Sequence, residues 1–99
     1  MGISIALDEL LASGWSGLDS TGCSFDQTGR AYPNLQRVHQ EFAATGFDLS
    51  IVHVAAFNCY RAEWREAGAS TVAGSTVSSS QDEAAVHALA QLRRSLAAA

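Results

Sequence analysis

Residues 47–65 read FDLSIVHVAAFNCYRAEWR. From Phe47 the apolar period is two. Leu49, Ile51 and His53 fall on one face and Val52 and Val54 on the other, which predicts a strand apolar on both sides and central in its sheet. After a turn around Phe57-Asn58, Tyr60, Ala62 and Trp64 alternate with Cys59, Arg61, Glu63 and Arg65. That alternation belongs to a half-buried antiparallel strand with one charged, wet face.

Downstream, Gly68 marks a turn. Ser70 to Ser79 is rich in Ser, Thr and Val, which favours a third, weaker strand over a loop. Ser80-Gln81-Asp82-Glu83 is a capping box and predicts a helix running to about Leu96, with Ala85, Leu89, Leu92 and Leu96 as its stripe. Asp82 and Glu83 at its start and Arg93 and Arg94 near its end complement the helix dipole.

Upstream, Pro33 and Asn34 open a helix whose stripe is Leu35, Val38 and Phe42, and Gly46 followed by Phe47 closes it over Phe42. The turn Asp26-Gln27-Thr28-Gly29 predicts a short hairpin with strands near Cys23–Phe25 and Arg30–Tyr32. A first helix follows from Ile3, Leu7, Leu10 and Leu11, with Ser4 as its cap. Gly14 ends it, and Trp15 folds back on Leu10 into the core. The sum is a single domain over residues 1–99 of the α+β class. Its order is α-(ββ)-α-β-β-β-α: a mainly antiparallel three-stranded sheet packed with three helices, with the N-terminal hairpin as a candidate extension.

Composition narrows the function. The 99 residues are 47% hydrophobic and 16% charged, which suits a folded domain, and no apolar run approaches the roughly 18 residues of a membrane span. All six basic residues are arginine, a bias read first as that of a GC-rich, bacterial genome. The net charge of −4 disfavours nucleic acid, because phosphate binding needs clustered surplus cations. The Met1-Gly2 start carries no secretory pattern, and Ala6 stands where a myristoylation signal has Ser or Thr. The expected setting is cytoplasmic, with Cys23 and Cys59 reduced.

The residues capable of chemistry are few. Cys23, His39, His53, Cys59 and His87 show no metal-ligand spacing, so no metal and no cofactor are expected. His53 and Cys59 are the candidates for a thiol–imidazole pair, since a turn at 56–58 could bring them together, with Glu63 or Asp48 further along. Arg61 and Arg65 are the candidates for an anion site. Interleaved with Glu63, they are explained more simply as a cross-strand ion-pair network. Tyr60 and Trp64 could stack on bases, but core packing accounts for them better.

From Pro33 to Leu96 the order helix, three strands, helix resembles the double-stranded-RNA-binding domain. That family enters its last helix through Ser, two basic residues, Glu and Ala; here Ser80, Gln81, Asp82, Glu83 and Ala84 stand in those places, followed by Ala88 and Leu89. The resemblance implies the cap and the packing. It does not imply RNA contact, because Gln81 and Asp82 replace the basic pair and no Gly-Pro-x-His loop is found around Ala55 to Asn58.

The leading expectation is a small intracellular, non-enzymatic interaction or regulatory module. Its partner is an unknown protein or a second copy, met through an edge strand or an exposed apolar face. The alternatives are a degenerate nucleic-acid-binding domain, which would need the arginines to converge, and a small enzyme using Cys59 and His53.

Overall fold

The computed structural model describes residues 3–16 and 22–98, without the side chains of residues 4 and 98. The elements are α1 (Ile3–Ala12), β1 (Cys23–Phe25), β2 (Ala31–Pro33), α2 (Leu35–Ala44), β3 (Phe47–Val54), β4 (Cys59–Glu66), β5 (Gly74–Ser78) and α3 (Gln81–Ala98). A single 3-10 turn, Ala55–Phe57, joins β3 to β4. This is the expected α+β class. The hairpin, however, forms its own two-stranded sheet, β1-β2, and does not extend the antiparallel sheet β3-β4-β5.

Helix ends follow their local chemistry. At the end of α1, Gly14 takes φ +96°, its N–H donates to the Leu11 carbonyl at 3.0 Å, and the Trp15 N–H donates to that of Leu10 at 3.4 Å. These are the two bonds of a Schellman ending, and Trp15 is buried. Gly46 ends α2 through a bond to the Ala43 carbonyl, and the Thr45 hydroxyl donates to the Phe42 carbonyl at 2.8 Å. Asn34 caps α2 by accepting from the Arg37 N–H at 2.9 Å, while Pro33 ends β2 instead of opening the helix. The Ser80 hydroxyl accepts from the Glu83 N–H at 3.1 Å. The Glu83 carboxylate reaches one residue further than a capping box requires, accepting from the N–H and hydroxyl of Ser79. Ser4 does not cap α1, because the helix already includes Ile3 and Ser4 lies within it; the Ser4 side chain and the Met1-Gly2 start lie outside the described residues.

The helices α2 and α3 pack on one face of the three-stranded sheet, and α1 packs on the far side of α3. The last helix is therefore buried from two directions. Ala84, Ala85, Val86, Ala88, Leu89, Ala90 and Leu92 are all buried, an arc far wider than the expected leucine stripe, with alanines giving close approach on both sides. Leu96, expected to continue that stripe, is 44% exposed. Leu7, Leu10, Val38 and Phe42 fill the space between layers, each worth about 1.5–3 kcal/mol of burial. Phe42 meets Trp64 edge-on at 5.8 Å between ring centres. Trp15 Nε1 donates to Glu41 Oε2 at 2.8 Å, and Arg37 Nε donates to the same oxygen at 2.9 Å, tying the end of α1 to α2.

The strand β3 is not central. The order β3-β4-β5 makes it an edge, and β4, with its charged outer face, lies in the middle. The apolar residues on both faces of β3 misled the expectation, because its outer Val52 is left exposed.

Candidate functional site

The register of β3 with β4 runs without interruption from Phe47↔Glu66 to Val54↔Cys59. Directly opposite residues share a face. Leu49, Ile51 and His53 therefore stand on the helix side with Trp64, Ala62 and Tyr60. Asp48, Ser50, Val52 and Val54 stand on the outer side with Arg65, Glu63, Arg61 and Cys59, and Ser75 and Val77 of β5 complete that side. Among the described helices none packs there.

The backbone phase follows from one bond. The Ala67 N–H donates to the Gly46 carbonyl at 2.9 Å, which makes Gly46 and Ala67 a hydrogen-bonded pair. Alternation then turns the groups of Asp48, Ser50, Val52 and Val54 toward β4 and those of Phe47, Leu49, Ile51 and His53 away from it. Among the described residues no strand pairs with that second set. Edge strands of proteins that work alone are usually short, bulged, or guarded by lysine, proline or an inward charge. The eight residues of β3 carry no lysine, proline or bulge, and Asp48 is their only carboxylate. The opposite edge, β5, has only five residues.

The thiol–imidazole pair does not form. His53 lies against Tyr60, with 4.9 Å between ring centres, and its Nε2 is 3.5 Å from Asn58 Oδ1. Cys59 pairs with Val54 on the opposite face. One residue of register separates them, and in a sheet one residue reverses the side. Among the described residues neither cysteine is in a disulfide.

Arg61 and Arg65 share Glu63, at 3.3 and 4.0 Å; these ion pairs join next-but-one residues of β4 and are not the cross-strand network expected. Arg30 pairs with Asp8 and Asp26, Arg37 with Glu41 and Arg94 with Glu9. Arg93 Nε donates to the Ser13 hydroxyl at 3.0 Å, at the negative end of α1. Arg37, Arg93 and Arg94 all lie about the end of α1, over Trp15, on Ser13 and beside a pocket at Ala12 and Ser13 respectively. His39 is exposed on α2, and among the described residues no group of three or more His, Cys, Asp or Glu could hold a metal ion. Among the described residues no helix is long and apolar enough to cross a membrane.

Sequence reasoning missed one polar cluster. His87 of α3 has Nδ1 3.0 Å from the Thr76 hydroxyl of β5 and Nε2 3.1 Å from Gln91 Nε2 and 3.2 Å from Glu9 Oε1. The distant α1 and the consecutive β5 and α3 build this cluster, and only the i, i+4 spacing of His87 and Gln91 hinted at it. A shallow pocket of about 190 Å³ opens beside it, lined by Glu9, Ala12, Ser13 and Arg94. It falls below the roughly 300–1,000 Å³ of small-molecule sites, and Arg94 and Glu9 pair with each other across it at 3.8 Å. The cluster fastens α1 and β5 to α3.

No protein-family model, no curated protein and no solved structure matches the chain.

Proposed function

We propose that this protein is a small non-enzymatic interaction module of the cytoplasm that accepts an extended partner strand along the free edge of β3. The observation that carries the reading is the unguarded eight-residue edge whose outward groups belong to Phe47, Leu49, Ile51 and His53. An added strand would gain main-chain hydrogen bonds, and alternate side chains on the two faces would supply selectivity. The enzymatic alternative has less support, because His53 and Cys59 face opposite ways. The nucleic-acid alternative also has less, because Arg30, Arg37, Arg61, Arg65 and Arg94 each pair with a carboxylate and Asp82 accepts a hydrogen bond from the Tyr32 hydroxyl at 3.3 Å.

The test is selection of displayed random peptides on the folded protein, followed by the His53→Pro variant. Proline there replaces an outward N–H without breaking a β3–β4 bond, and its ring stands where a partner strand would lie. Peptides are expected to bind in extended form and to lose about tenfold or more in affinity to the variant. Peptides that bind the variant as tightly as the wild type would place recognition elsewhere and overturn the reading.

A further inference from the structure

We infer that the strand accepted by β3 is the β3 of a second copy of this chain, antiparallel and centred on Ser50. This rests on the edge-strand reading and adds the partner and the register. Phe47, Leu49, Ile51 and His53 are symmetric about Ser50. With a two-fold axis through Ser50, Phe47 meets His53 of the partner subunit and Leu49 meets Ile51 of the partner subunit, so every outward N–H and C=O finds a complement. An axis moved to Leu49 leaves His53 unmatched, and one moved to Ile51 leaves Phe47 unmatched.

The side chains agree with that register. Opposite residues share a face, so the helices of both copies lie on one side of a continuous six-stranded sheet. Leu49 and Ile51, only partly buried in the single chain, are covered by each other's counterparts. On the outer face Ser50, small and uncharged, meets its own symmetry mate. Asp48 falls opposite Val52 of the partner subunit, whereas an axis at Asp48 would set two carboxylates face to face. The row Val77–Arg61–Val52 then continues into Asp48 of the partner subunit and the partner subunit's Arg65. That carboxylate is flanked by guanidinium groups from both copies, and the Arg61 side chain is 49% exposed and able to reach across Val52.

The experiment joins sedimentation from micromolar to millimolar chain with disulfide cross-linking in a Cys23→Ser, Cys59→Ser background. Ser50→Cys places two thiols at a non-hydrogen-bonded pair, with Cα atoms about 4.5 Å apart, inside the span of about 4.4–6.8 Å that disulfides bridge. Asp48→Cys places its mates roughly 13 Å apart along the strands, out of reach. Circular dichroism checks that each variant is folded. The expected result is a dimer in which Ser50→Cys links at least about tenfold faster than Asp48→Cys, while mixed Asp48→Cys and Val52→Cys chains link to each other. A chain that stays monomeric overturns the proposal, as does a dimer in which Ser50→Cys links no faster than Asp48→Cys. Peptide binding that is sensitive to His53→Pro on a monomeric protein would keep the edge-strand reading and remove only the second copy. Loss of both results removes both.

Discussion

Gly74 lies under the indole of Trp64: a Cβ built on residue 74 would stand 2.6 Å from Cε2 and 3.0 Å from Nε1 of that ring. The ring is 5% exposed and has Phe42 on another side. Gly74→Ala must therefore push the indole or shift the start of β5. Overpacking of this kind costs about 1–3 kcal/mol. Urea unfolding of the variant is expected to show a lower midpoint with an unchanged slope, and an unchanged midpoint would mean that the ring yields freely.

Thr76 is buried at 8% exposure and its hydroxyl serves His87. Thr76→Val keeps the shape and removes the partner, which is expected to cost about 1 kcal/mol. Thr76→Ser should retain most of that stability. Thermal unfolding of the two variants side by side checks the expectation, and equal melting points would assign the site to packing alone.

In the β1–β2 loop the Thr28 hydroxyl donates to Asp26 Oδ1 at 2.7 Å, the N–H groups of Thr28 and Arg30 donate to the same oxygen, and Arg30 Nε donates to Oδ2. These bonds, that of the Thr28 hydroxyl first, hold the Asp26 carboxyl down at about 2 from its ordinary 3.8. Because the folded value lies below the unfolded one, the contribution is whole above about pH 4 and is lost as the pH falls through about 2. Stability measured against pH should show wild type above Asp26→Asn at pH 5, with the gap closing toward pH 2. Parallel curves would remove Asp26 as the cause.

At the start of α3, Ser80→Ala deletes the acceptor of the Glu83 N–H. A loss of about 1 kcal/mol is expected, read by denaturant unfolding. A double variant with Glu83→Gln should cost less than the sum of the single losses, since both act on one helix end.

What the sequence revealed followed the range of the forces involved. The Schellman ending at Gly14-Trp15, the Ser80 cap and the Asp26–Gly29 turn are set by neighbours a few residues away, and all were legible. The position of β3 was not. A strand with Val52 and Val54 outside and Leu49 and Ile51 inside reads the same whether or not another strand lies beside it, and only the absent neighbour distinguishes edge from centre. The breadth of α3 burial was hidden in the same way, because Ala84, Ala88 and Ala90 signal little until α1 and the sheet are seen to close on them from two sides. Of the candidate site, the alternation of β4 placed Arg61, Glu63 and Arg65 correctly on the outer face. The His53–Cys59 pairing failed because register, which local composition does not carry, decides the side on which each residue points.

The docking of α1 on α3 has a consequence for how the chain is made. During synthesis α1 emerges first, yet the surface that shelters Leu7 and Leu10 belongs to the last helix. Until residues 84–92 have left the ribosome, those leucines have no native cover, and the intervening sheet can form only an open half of the core. Completion therefore waits on a contact between segments some 80 residues apart, as between Ser13 and Arg93. Long-range closure of this kind is slow and leaves apolar surface exposed meanwhile. The nascent chain is thus expected to be most vulnerable to proteolysis and self-association just before α3 appears.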